Sequence, residues 1–312
     1  MPTVAVLGGG LAGLATATAL GSSGFDVDLY ETRPFLGGRA TSWPVGAEDT
    51  ETVDNCQHVL LRCCVNLLDL YRRLGVERKI RFYREFRFIE PGGRTSVMKR
   101  GMLPAPAHFA GSFLALKYLS LADKFGIARA MRAIPRERSR PDLDRISMLD
   151  WLREKRQTPQ AIERYWRQVL VSAVNEELDR MAAAHGFQVF WLGMIARADS
   201  YEMGLPDVPL RELYDEKALG SKARLHRRSA VTAIHTDTDR VAAIETGGDR
   251  VEADYYISCL PFERLQPLMP QLPVNWAAFE HSPITGIHLW FDRPVTDVDH
   301  ATLLDRTIQW FF

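Results

Sequence analysis

The chain has 312 residues, 46% hydrophobic and 25% charged, the composition of an ordinary folded protein with room for two domains. Lys and Arg together number 39 and so do Asp and Glu, so no basic excess is available to draw in nucleic acid. The four cysteines, Cys56, Cys63, Cys64 and Cys259, form no C-x-x-C pair and no zinc-like spacing with histidine; reduced, partly buried thiols and no metal centre are expected.

The first residues run into a strand with no basic and apolar leader before it. No stretch approaches the roughly 20 apolar residues of a membrane span, so a cytoplasmic protein is expected. Thr3 to Leu7 reads as a buried parallel strand, and Gly8, Gly9, Gly10 and Gly13 lead into an Ala/Leu-rich helix ending near Ser22, with Gly24 as its stop. Asp26 to Glu31 is the next strand, completing a βαβ unit. Leu60, Leu61, Leu67, Leu68, Leu70, Tyr71 and Leu74 recur at helical spacing, which predicts a helix over 59–74 closed by Gly75. A hairpin is expected around Pro91-Gly92-Gly93, and 107–219 reads as almost wholly helical, punctuated by Pro135, Pro141, Pro159 and Pro206. Strand character returns at 223–227, 230–235, 241–246 and 255–258, with turn residues at 236–239. An α/β protein follows: a discontinuous Rossmann-type nucleotide domain (1–106 and 220–265), an inserted mainly helical domain (107–219), and the start of a further sheet (266–312).

Gly8-x-Gly10-x-x-Gly13 stands where a dinucleotide site requires it, between a strand and a helix, with the acidic Glu31 ending the next strand. Gly8 permits the tight turn, Gly10 lets backbone approach a pyrophosphate, and Gly13 allows close helix–strand packing. The helix N-terminus then offers N–H groups and partial positive charge to the phosphates. Glu31 is the expected acceptor for the ribose hydroxyls and disfavours the 2′-phosphate of NADP.

Glu31, Arg33, Gly37, Gly38 and Arg39 form an E-x-R-x-x-x-G-G-R string. In this the chain resembles the glutathione-reductase-like flavoproteins, in particular the branch of amine oxidases and phytoene desaturases. The resemblance implies FAD as cofactor. Arg33 and Arg39 can neutralise the pyrophosphate, and Gly38 lets backbone pass close to the flavin ribityl chain. It also implies that Val231 meets the adenine through its backbone, and that 254–261 ends in a small residue and proline beside the cofactor.

A longer string, Asp54 to Cys64 running into Asn66-Leu67-Leu68-Asp69-Leu70-Tyr71, closely resembles the hydroxysqualene dehydroxylases, or squalene-associated FAD-dependent desaturases, as do 203–210, 256–261 and 282–292. That family implies reductive removal of the hydroxyl of hydroxysqualene to give squalene. It also implies an apolar isoprenoid substrate and contact with upstream enzymes of the squalene pathway; the oligomeric state stays open. His58 is the candidate proton donor, with a neutral ring packed on the cofactor as the alternative reading. Tyr201 is a weaker candidate, read first as a helix-surface residue. A carotenoid-type desaturase, which runs the flavin in the opposite direction, remains an alternative, as does a non-catalytic FAD-binding fragment.

Phe109, Phe113, Leu114, Leu116, Tyr118, Leu119 and Leu121 are followed by Lys124, Arg129, Arg132, Arg136, Arg138 and Arg140. An apolar face beside a basic cluster suits peripheral contact with a membrane, and a core helix followed by a solvated basic loop suits the same pattern. Flavoproteins of this type carry a further C-terminal stretch with a Gly-Asp motif and a helix aimed at the flavin. The chain ends at Thr307–Phe312, so a C-terminal truncation is expected.

Overall fold

The computed structural model describes residues 1–46, 51–214, 219–220, 222–238 and 240–312. Residues 215–218, the last part of the predicted helical run, and Asp239 of the predicted turn lie outside the described residues. Backbone contacts divide the chain into two compact units, one made of Met1–His58, Val65–Arg81 and Pro206–His281, the other of Val59–Cys64, Phe82–Leu205 and Ser282–Phe312. The boundaries differ from those the sequence predicts. The hairpin assigned to the nucleotide domain belongs to the second unit, while 206–219 and 266–281 belong to the first.

In the first unit, β1 (Thr3–Leu7), α1 (Leu11–Ser22) and β2 (Asp26–Glu31) form the βαβ motif, with β1 and β2 parallel. The strand Ala223–Arg227 extends the sheet beside β2, and Tyr255–Ser258 extends it beside β1, all four parallel. Val4 to Leu7 are all buried, as are Val27, Leu29 and Tyr30, so side chains on both faces of these strands are covered. The register places Leu7 opposite both Tyr30 and Ser258, and Glu31 opposite Arg227, so the carboxyl ends of all four strands lie together. In open parallel sheets that edge is where ligands bind. Val231–Asp237, Arg240–Thr246 and Asp249–Val251 make a separate antiparallel sheet, whose Ile244 packs with Ala5, Leu7 and Tyr30. After β2, the strands β3 (Ser42–Val45) and β4 (Glu51–Asp54) pair antiparallel.

The second unit is built around aromatic side chains. Trp151, Trp166, Phe187 and Phe190 are buried, and the Trp166–Phe190 and Trp151–Phe187 pairs meet edge to face at centroid distances of 4.7 and 4.8 Å. Both indole N–H groups are satisfied, Trp166 Nε1 donating to Gln157 Oε1 and Trp151 Nε1 to Glu137 Oε2, each at 2.8 Å. The predicted hairpin is present as Glu85–Ile89 antiparallel to Thr95–Lys99, and Ala301–Leu303 joins the first of these strands in parallel. Trp310–Phe311 pairs with Ala301 and Thr302.

Two predicted elements are corrected. Leu60–Leu61 are not helical but pair antiparallel with Met203 and Gly204, and the helix begins only at Val65. Leu60 is buried and Leu61 packs on the aromatic core, so pairing with the distant Met203 and Gly204 overrides the local 3.6-residue period. Pro135 does not interrupt its segment: the helix Leu121–Glu137 runs through it and ends two residues later. Among the thiols, Cys64 is exposed rather than partly buried, and all four cysteines are free.

Candidate functional site

The glycine-rich turn and the second glycine segment are brought together. Gly10 forms a parallel bridge with Gly37, and Gly37 N donates to Gly9 O at 2.9 Å, laying the 37–38 backbone across the loop after β1. Side chains are excluded from this crossing. A Cβ on Gly38 would stand 3.0 Å from Gly10 Cα, and Gly38 has φ +62°. On Gly13 a Cβ would fall 1.8 Å from Gly8 O, an overlap no rotamer relieves. Gly10 is also the N-cap of α1 and lends no side-chain cap, so the first-turn N–H groups are left for an anion.

Glu31 closes one side of this cradle from the end of β2. Its carboxylate is buried and accepts from Gly9 N at 2.7 Å and Arg33 N at 2.8 Å. The carboxylate therefore holds the loop while keeping lone pairs for further donors. Arg33 Nη1 donates to Gly38 O at 3.2 Å, and its guanidinium lies 5.7 Å from the Phe35 ring and 5.5 Å from the Trp43 ring. Val231 opens its strand next to this group: Ser229 N donates to Glu31 O at 2.9 Å, and Arg228 N to Arg33 O at 3.3 Å. Gly8, Gly10, Gly13, Glu31, Arg33, Gly38 and Val231 thus converge at one end of the parallel sheet.

The hydrogen bonds of Arg39 and His58 are instead with Asn55 and Cys56. Arg39 is exposed, and its carbonyl accepts from Asn55 Nδ2 at 2.6 Å. His58 Nδ1 lies 3.0 Å from Cys56 O. A carbonyl only accepts, so Nδ1 carries the proton in the neutral ring and Nε2 becomes a donor only in the imidazolium form. Tyr201 is not a helix-surface residue. It is buried, accepts from Arg100 N at 3.1 Å and donates to Arg84 O at 2.8 Å. Burial pushes its hydroxyl above the usual tyrosine range. A hydroxyl committed on both sides is a poor proton donor to anything else.

Several residues that support the site carry no motif. Trp43 and Phe35 meet edge to face at 5.1 Å and box the Arg33 guanidinium. Asp54 accepts from Ser42 Oγ at 2.6 Å and from Leu210 N at 3.0 Å, fixing the chain that follows the glycine pair. Asn55 falls in the 54–64 string, which flags the segment but not its task of holding Arg39. Behind the cradle, burial pushes the Asp28 carboxyl up, but hydrogen bonds from Arg224 and His226 outweigh this and hold it below the usual range. Tyr30, stacked on His226 at 4.6 Å, is pushed up to about 12 by burial.

A model of the flavin containing amine oxidoreductase family matches residues 11–311. The zeta-carotene desaturase of Synechocystis sp. is 26% identical over 330 residues, covering 95% of this chain and 66% of that protein. The 15-cis-phytoene desaturase of Synechococcus elongatus is 25% identical over 323 residues, covering 95% and 67% respectively. The chain therefore spans about two thirds of the length of these relatives. An oxidoreductase from Methanosarcina mazei shares the fold, with a TM-score of 0.63 at 18% identity over 88% of this chain and 63% of that one.

Proposed function

The chain belongs to the family of flavin-containing amine oxidoreductases, which are FAD-dependent, and from that premise we propose that it exchanges electrons with a long apolar isoprenoid, as a carotenoid-type desaturase. The observation that carries the FAD part is the crossing of Gly37–Gly38 over Gly9–Gly10 beside the uncapped start of α1. The substrate class rests on the similarity to the zeta-carotene and phytoene desaturases along 95% of the chain.

The residues present fit FAD. The α1 N-terminus would take the pyrophosphate, with Gly8, Gly10 and Gly13 admitting its close approach. Glu31 would accept from the ribose hydroxyls, and its charge opposes a 2′-phosphate. Arg33 and Arg39 would offset phosphate charge, Gly38 would pass beside the cofactor chain, and Val231 would meet the adenine with its backbone. When bound, FAD supplies the two-electron exchange with the substrate.

A second reading is reductive dehydroxylation of hydroxysqualene, favoured by the Asp54–Cys64 string and its continuation to Tyr71. There the chain must also deliver a proton to the leaving hydroxyl. His58 could do so from Nε2 once its ring is protonated, with Nδ1 oriented by Cys56 O.

Anaerobic incubation of the flavin-loaded protein separates the two. Desaturation predicts that zeta-carotene or phytoene bleaches the oxidised flavin, while hydroxysqualene leaves the reduced flavin unchanged. The opposite pattern selects dehydroxylation, and a flavin inert to all of these substrates contradicts both readings.

A further inference from the structure

The helix Leu121–Glu137 starts at a reciprocal cap, in which Asp123 N donates to Ser120 Oγ at 3.2 Å and Ser120 N to the Asp123 carboxylate at 2.8 Å. Ile127, Ala130 and Ile134 form its inward stripe and are buried in the aromatic core. Lys124 is buried too, and its ammonium donates to Leu114 O at 2.7 Å, pinning Leu114 beside the first turn.

The outward face has a different composition at each end. Leu121 is 70% exposed and Phe125 77%, with Leu114 next to them at 62%. Along the same face toward the C-terminus come Arg129, Arg132 and Arg136, all exposed. The steps of four, four, three and four residues from Leu121 keep these side chains on one stripe. An open groove of about 770 Å³ runs along it, completed by Lys155 and Arg156.

Two acids face this groove, and both are ion-paired, Glu154 through an Arg140 that also pairs with Asp142 and Glu137. Glu137 accepts from Lys155 Nζ at 2.5 Å and from Trp151 Nε1, and Glu154 accepts from Arg140 at 2.8 Å. Arg129 donates to Lys155 O at 2.7 Å, a bond that leaves its charge uncompensated. The stripe is therefore apolar at one end and cationic along the rest.

One exposed leucine needs no explanation, but three large apolar side chains grouped beside a line of arginines do. We propose that this face docks on an anionic lipid surface. Leu114, Leu121 and Phe125 enter the boundary between headgroups and acyl chains, while Arg129, Arg132 and Arg136 take headgroup phosphates. Docking of this kind holds whichever isoprenoid the flavin serves.

Flotation of the full chain with vesicles tests it, using phosphatidylcholine alone and phosphatidylcholine mixed with phosphatidylglycerol. The expected result is binding to the mixed vesicles, weakened by salt and far weaker on phosphatidylcholine alone. R132Q/R136Q should lower partitioning about thirtyfold at low salt. L121S/F125S should lower it about tenfold or more on the mixed vesicles. Both variants replace exposed side chains, and far-UV circular dichroism checks that each is folded. Failure of the wild type to float, or variants that float as it does, overturns the assignment. Self-association that L121S/F125S abolishes, with no flotation, overturns it in favour of a protein partner.

Discussion

In the first unit the features that make the site are statements about backbone: a glycine where helix meets strand, a glycine pair laid across a loop, an uncapped helix start, and a carboxylate holding two amides. In the second unit the corresponding work falls to packing, with tryptophans meeting phenylalanines edge to face and each indole tied to a single acceptor. Backbone requirements admit few residue types, so they leave a signature in short strings. Packing requirements admit many apolar solutions, so they leave almost none. The same chain therefore declares its cofactor far more openly than its substrate.

Substitutions at the extremes of each unit should separate these two kinds of encoding. G13A drives a methyl into Gly8 O and should abolish FAD binding, read as a colourless protein after purification with added FAD. W166A empties the centre of the aromatic core and should cost about 3–5 kcal/mol of unfolding free energy. Its FAD affinity should stay within about twofold while folded, because the change leaves the glycine cradle untouched. A large loss of flavin in W166A, measured below its transition, would erase the distinction between the units.

Smaller changes sharpen the picture inside the first unit. E31Q keeps the shape but turns one acceptor into a donor facing Gly9 N or Arg33 N, and should weaken FAD about 10- to 100-fold by titration. D28N should destabilise the protein by about 1 kcal/mol at neutral pH, a figure discounted because its partner Arg224 is exposed. The sign with pH follows from the depressed Asp28 carboxyl: its stabilisation is present above the unfolded pKa and is lost as pH falls through the folded one. Denaturant midpoints of wild type and D28N should therefore converge in acid. R39A, at an exposed site, should weaken FAD least and chiefly at low salt.

Much of the first unit is readable from residues 1–39 because strand, turn, helix and acid follow one another at fixed spacing. The strands at 223–227, 231–237, 240–246 and 255–258 also fall within a residue or two of the positions the sequence predicts. The pairing of Leu60–Leu61 with Met203–Gly204 is hidden, since a strand of two residues has no period to detect. Tyr201 is misread for a related reason: its two backbone partners, Arg84 and Arg100, are more than 100 positions away. The aromatic box around Arg33 escapes notice because Trp43 lies outside the motif and reaches the guanidinium only through the turn that follows it.

The central claim is that the glycine crossing beside α1 holds FAD, and the most direct test is the visible absorption spectrum of the purified chain, with the released flavin identified after denaturation. The account predicts FAD near one per chain in the wild type and none in G13A. A folded wild-type protein that stays colourless with added FAD would contradict it.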